Sequence, residues 1–250
     1  RSRSPKSRTR SPNRMTMLND LYLPDQERLT TMVVGRPGSG KSFFLKHTIR
    51  DYMKRNTDKN HRLCYVCPKH EMTLYDDKAP ITVDQLEKHL RKNRTAVVYP
   101  DPDFVEAEVD YCIDTLFAIR SANPDFTCTV VVDDAQTFIQ SRRAASQAFR
   151  RLALTGRSKG IRFVAVSHQM VFSKDLEGST SYIAFFSMPV KLYHRDAMVR
   201  YGFDPEGFLE SMSEKPYSFV WFDVSSTQGR LMNPLEVKEG SRAEPKLRQA

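Results

Sequence analysis

The sequence predicts an α/β fold, a central, mostly parallel sheet flanked by helices. Three observations carry this. Short apolar runs rich in β-branched residues alternate with longer segments of helical period. Those runs are apolar on both faces, as strands covered by helices on both sides require. A glycine-rich octapeptide, Gly35 to Ser42, joins the first run to the first helical segment.

Thr30 to Val34 reads as the first strand. Lys41 to Arg55 reads as a helix, with Phe43, Phe44, Ile49 and Tyr52 available to pack. Leu63 to Cys67 reads as a strand whose Cys64 and Cys67 are expected to share a face. Val83 to Asn93 is amphipathic and helical, and Thr95 to Tyr99 a short strand. Phe104 to Ser121 is a long helix with Val105, Val109, Ile113, Leu116 and Phe117 at helical spacing. Thr127 to Val132 is a buried strand, residues 141–154 a helix, and Ile161 to Ser167 another buried strand. Ile183 to Val190 and Ser218 to Asp223 read as strands, with a helix over Arg195 to Tyr201 between them. No internal repeat of 20–50 residues is seen.

Three segments follow. Residues 1–15 form a basic Arg/Ser/Pro tail expected to be disordered, 16–238 the folded domain, and 239–250 a polar tail. The chain carries a net +9. Arg1, Arg3, Lys6, Arg8, Arg10 and Arg14 account for six of those charges. The domain itself is therefore only mildly basic. Such a tail either attracts phosphate backbones or solubilises and targets the chain. Phosphorylation at the Ser-Pro steps of Ser4 and Ser11 would cancel local charge. No run of 18 apolar residues occurs, so no membrane span is expected. No signal-peptide pattern is seen. The chain begins at Arg1 as a fragment or processed form would, with Met15 and Met17 as internal candidate starts.

Cys64, Cys67, Cys112 and Cys128 have apolar, strand-like neighbours, the setting of reduced thiols in an intracellular protein. His61, Cys64, Cys67 and His70 have a spacing that invites a zinc reading. The apolar strand they sit on, and the lack of a second CxxC pair, argue against metal at Cys64 and Cys67.

Gly35-Arg36-Pro37-Gly38-Ser39-Gly40-Lys41-Ser42 fits G-x-x-x-x-G-K-[ST] in full, after a strand and at the start of a helix. Glycines let backbone N–H groups curl around a β-phosphate, and the helix N-terminus faces it with its positive dipole end. The residues expected to hold ATP are these eight with the following Phe43. Lys41 supplies charge to the β/γ-phosphates and Ser42 a ligand to Mg²⁺. A plain glycine turn before a helix would not need the lysine or the serine.

The strand Thr127 to Val132 ends in Asp133-Asp134, at the sheet edge where ligands of such folds bind. Asp133 is expected to orient Mg²⁺. Asp134 is expected to polarise the attacking water as a general base. Many related ATPases carry the longer Glu at that second position. The bland alternative is a polar strand end or helix cap. Phe163 to Gln169 is a further strand closing in polar groups. Its Gln169 is placed to bond the γ-phosphate or the water, or to serve a local turn. Before it, Arg157 and next Arg151 are candidates to reach a neighbouring subunit's ATP. A solvated basic face, or contact with nucleic acid shared with Arg142 and Arg143, is the competing reading.

This order of motifs, GxxxxGKS, then VVVDD, then a GR-x-K-x-I segment running into a strand that closes in S-H-Q, resembles the viral genome-packaging ATPases of the FtsK–HerA superfamily, particularly the poxvirus-type and other large-DNA-virus members. The match spans roughly residues 28–225, with three short specific blocks. The resemblance implies a RecA-like P-loop NTPase core that assembles into a ring, a pentamer or hexamer, and pumps double-stranded DNA into a capsid. It implies Lys41, Ser42, Asp133, Asp134 and Gln169 in the roles above, and Arg157 as the trans finger. It also implies capsid proteins as partners, and a place in the host nucleus, a cytoplasmic virus factory or the virion. The family's segment often reads Arg-His before the sensor strand, whereas this chain has Arg157-Ser158.

Two other functions stay open at this level. A helicase of the same superfamily would separate strands, but no second core domain and no aromatic single-strand platform are seen. A nucleotide-dependent switch or small-molecule kinase would need no nucleic acid. A strand ending in Asp-Asp followed by a Gln-tipped strand suits a water-activating hydrolase better. Lys174, Lys191 and Arg195 are candidates to line a pore.

Overall fold

A computed structural model describes residues 30–70, 78–137, 146–170, 173–188 and 216–234, with positions 195, 198, 199, 201 and 212 between them. The tails at 1–15 and 239–250, and Arg142, Arg143 and Lys191, lie outside the described residues.

The chain alternates strand and helix as its apolar runs dictate. β1 (Thr30–Val34) leads through the glycine-rich loop into α1 (Lys41–Arg55). β2 (His61–Val66) follows, then α2 (Leu86–Lys92) after a 3-10 turn, and β3 (Thr95–Val98). α3 (Val105–Ala122) leads to β4 (Thr127–Val132), and α4 (Gln147–Thr155) to β5 (Ile161–Ser167). Ser146 caps α4 by accepting from the Phe149 amide at 3.2 Å. α5 (Lys174–Ser179), β6 (Tyr182–Phe186), β7 (Phe219–Asp223) and β8 (Gln228–Met232) complete the described elements.

These strands form one sheet in the order β3-β2-β4-β5-β1-β6-β7-β8. The pairs from β3 to β6 are all parallel, whereas β6–β7 and β7–β8 are antiparallel. The sheet is thus mostly parallel. Alternate residues of each strand feed two cores. Met32, Cys64, Val66, Val130, Val132 and Phe163 join Leu86, Leu90, Ile113, Leu116 and Leu152 of α2, α3 and α4 on one face. Val33, Leu63, Tyr65, Val131 and Val164 join Phe44, Leu45, Ile49 and Tyr52 of α1 on the other.

Several expectations change. Cys64 and Cys67 do not share a face: Cys64 lies in the α3 layer and Cys67 in the α1 layer. A strand repeats every two residues, so a spacing of three puts side chains on opposite sides. Both are free and buried, and among the described residues no cluster of His, Cys, Asp or Glu is arranged for a metal ion. Phe43 does not enter the core. It is 42% exposed, its ring 4.3 Å from that of His47. β6 ends at Phe186, and residues 189–190 of the longer expected strand are outside the described residues. The helix expected over 141–154 is described as Gln147–Thr155. Of the expected Arg195–Tyr201 helix, positions 195, 198 and 199 are helical. No described helix is long and apolar enough to cross a membrane.

Candidate nucleotide site

Parallel strands bring their carboxyl ends to one edge. β1, β4 and β5 are neighbours there, so Gly35, Asp133 and His168, which follow them, meet. Backbone bonds fasten the loop to this edge. Gly35 N donates to Ser167 O at 3.2 Å and Arg36 N to Ser187 O at 3.0 Å. A Cβ on Gly35 would lie 2.5 Å from Phe186 Cβ and 2.8 Å from Ser39 Oγ, so only glycine fits that approach. Gly40, at φ +101, takes the left-handed conformation that turns the loop into α1.

Lys41 is 5% exposed. Its ammonium donates to the carbonyl oxygens of Gly35 at 2.6 Å and Arg36 at 2.9 Å, and lies 3.0 Å from His168 Nδ1. Burial pulls its pKa down to about 8, against the upward pull of Asp133 and Asp134. A cation held in this setting gains from an anion.

The two aspartates are fixed differently. Asp133 accepts from the Tyr65 hydroxyl at 2.9 Å and from the Asp134 amide at 2.9 Å. Burial raises its pKa, and those two bonds oppose the rise. Asp134 sits at φ +55, a left-handed turn off the strand, and is 7% exposed. Its Oδ2 is 2.7 Å from Lys69 Nζ and its Oδ1 3.2 Å from His168 Nε2, and Gln136 also donates to Oδ1. The Gln136 side-chain oxygen Oε1 in turn accepts from the His168 backbone amide at 3.1 Å.

His168 therefore stands between Lys41 and Asp134. Its Nδ1 lies 3.0 Å from the Lys41 ammonium and 3.3 Å from the Gly35 carbonyl oxygen, and its Nε2 3.2 Å from the Asp134 carboxylate and 3.4 Å from Lys69 Nζ, contacts that fit either tautomer of the neutral ring. Burial, and then the Lys41 charge, lower its pKa, which favours that neutral form.

Of the predicted residues, the structure brings Lys41, Asp133 and Asp134 together with the loop Gly35, Arg36, Pro37, Gly38, Ser39, Gly40 and Ser42. Gln169 is at the same edge with its side chain exposed, and its backbone bonds the Ser167 hydroxyl. Arg157 is not there. It lies in a 3-10 turn before β5, so the length of that strand, roughly 20 Å, separates it from its own loop. Arg151 is paired with Asp114 and covers the Phe117 ring at 4.3 Å.

Sequence reasoning missed His168, Lys69, Gln136 and Tyr65. His168 lies inside the S-H-Q block already singled out, and Gln136 two residues past Asp134. Lys69 and Tyr65 come from β2 and its exit, and only the β2–β4 pairing places them against the aspartates.

The residues fit a nucleotide triphosphate. Ser39 Oγ is buried in the loop without a hydrogen-bond partner, a donor such an anion would satisfy. The glycine cradle and the desolvated Lys41 add to it. Ser42 is exposed at the start of α1, and Asp133 lies at the end of β4, oxygen donors of the hard kind that Mg²⁺ takes.

No family model matches the chain, and no curated protein matches it by sequence. Solved structures do. The genome packaging NTPase B204 from Sulfolobus turreted icosahedral virus 2, in complex with AMP, superposes with a TM-score of 0.64 at 14% identity. The match covers 84% of this chain and 99% of that one. B204, the DNA-packaging ATPase from Sulfolobus turreted icosahedral virus, gives 0.64 at 15% identity over 83% of this chain and 98% of that one. Thermomonospora curvata EccC (ATPases 2 and 3), in complex with a signal sequence peptide, gives 0.53 at 13%, over 85% of this chain and 38% of that one. At these identities the likeness is one of architecture: the chain has the α/β fold of these packaging and EccC ATPases.

Proposed function

We propose that the protein is an ATP-driven motor that translocates double-stranded DNA and packages a viral genome into a capsid. The observation that carries the hydrolytic part is the buried Asp134 carboxylate held beside Lys41 through His168. The packaging part rests on the order of sequence motifs and on the full-length fold likeness to B204.

The loop amides and Lys41 bind the β- and γ-phosphates and leave the terminal phosphate on the β4–β5 side. Ser42 and, through water, Asp133 would hold Mg²⁺, which when bound neutralises charge on the phosphate oxygens. Asp134 accepts the proton of the attacking water at one carboxylate oxygen. His168 and Lys69 hold that carboxylate in place. Gln169 bonds the water or the γ-phosphate. Arg157, on the far edge of the sheet, serves the nucleotide of a neighbour in a ring of five or six subunits. Capsid proteins are partners of the assembled ring, and the complex works inside the host cell or virion.

The test is steady-state ATP turnover of the full chain with and without double-stranded DNA, at two salt concentrations. The motor reading expects stimulation by DNA that weakens as salt rises. A rate indifferent to DNA at both salts argues against it.

A further inference from the structure

The sheet order sets which side of the loop receives which end of a nucleotide. Asp134 and His168 follow β4 and β5, on one side of β1. With the terminal phosphate there and the β-phosphate in the cradle, ribose and base leave toward β6 and β7. Phe186 of β6 pairs with Phe219 of β7, so Tyr217 stands just beyond the end of β6, at the same edge as the loop. The Arg36–Ser187 backbone bond ties the loop to that end of β6.

Tyr217 meets the loop directly. A Cβ on Gly40 would lie 3.4 Å from Tyr217 Cδ1 and 3.7 Å from its Cβ. The residue is nevertheless 63% exposed, so core packing does not hold it there. Its backbone sits at φ +64, a left-handed conformation that a bulky L residue adopts only at a cost. Strain of this kind clusters at active sites and ligand clamps, and here it falls beside the glycine-rich loop. A flat, exposed ring beside a phosphate cradle suits one ligand group, a nucleobase.

We propose that Tyr217 is the base platform of this site, stacking on the purine of a nucleoside triphosphate. The proposal rests on reading the loop as a nucleotide site. Stacking recognises a ring face rather than its edge, so Tyr217 favours the larger purines over pyrimidines without separating adenine from guanine.

Calorimetric titration of the full chain with Mg²⁺ and either of two probes tests it. One probe is the β,γ-methylene analogue of ATP and the other is inorganic tripolyphosphate. Tyr217→Ala and Tyr217→Gly are expected to weaken the nucleotide analogue about tenfold and leave tripolyphosphate unchanged. Tyr217→Phe is expected to bind both as the native chain does. The glycine variant relieves the backbone strain, so a loss shared with alanine belongs to the ring. Unchanged binding of the analogue by the alanine and glycine variants overturns the platform while leaving the loop reading intact. An equal loss for both probes overturns it too, because the ring then acts on the loop. Binding of neither probe by the native chain removes the nucleotide site itself.

Discussion

A buried lysine beside one buried and one half-buried aspartate is costly to fold, and each residue here is tolerable because of the others. Burial brings Lys41 down to about 8, and Asp133 and Asp134 resist that fall. Lys41→Ala is expected to abolish ATP binding, read by calorimetry, because the phosphates lose the buried ammonium at the cradle. Retained binding removes the loop assignment. His168 links Lys41 to Asp134 and was not assigned a role from sequence, although it stands beside Gln169 in a block already recognised as polar. His168→Ala is expected to slow turnover at least about tenfold with KM within about threefold, since it positions the base rather than the phosphates. A rise in KM alone would place His168 in binding instead.

Elements whose role is set by hydrophobic pattern were legible. β1, α1, β4 and β5 run over the residues that their apolar periods predict, and they carry the loop and the aspartates. Elements set by their neighbours were not. β8 is an edge strand with mostly exposed side chains, and α5 spans six residues with one buried leucine, so neither shows a pattern. The same limit hid Lys69, which reaches Asp134 only because β2 pairs with β4. That pairing also buries His61, 2% exposed, whose ring nitrogens bond the Thr127 and Thr129 hydroxyls at 2.9 and 3.1 Å. Burial lowers its pKa from 6.5 to about 4. The native state thus binds fewer protons than the unfolded chain between those values. The stability His61 contributes is present above pH 6.5 and is lost as pH falls toward 4, by about 3 kcal/mol at most. Thermal unfolding from pH 7 to 4 should show that loss, and His61→Gln should flatten it. An unchanged pH profile in the variant would clear His61 of the effect.

Across the whole molecule, the sheet places the loop and Arg157 at opposite edges. The carboxyl edge holds the loop, the aspartates, His168 and Tyr217, while Arg157 lies before β5 at the other. A subunit with this layout cannot bring its own Arg157 to its own phosphates. In the proposed ring, a neighbour's arginine would take that place. Lys41→Ala and Arg157→Ala chains, each inactive alone, are therefore expected to regain ATP turnover when mixed. In the mixed ring an Arg157→Ala subunit keeps its loop and borrows the arginine of a Lys41→Ala neighbour. No recovery on mixing would take Arg157 out of the reaction or out of trans.

In the proposed mechanism the carboxylate at 134 activates water against a phosphate held by this loop. Steady-state ATP turnover of the full chain beside Asp134→Asn, with Mg²⁺ and with ATP affinity measured in parallel, tests it most directly. Turnover is expected in the native chain, and in the variant unimpaired binding with turnover slower by about a hundredfold or more. Equal turnover in the two chains would contradict it.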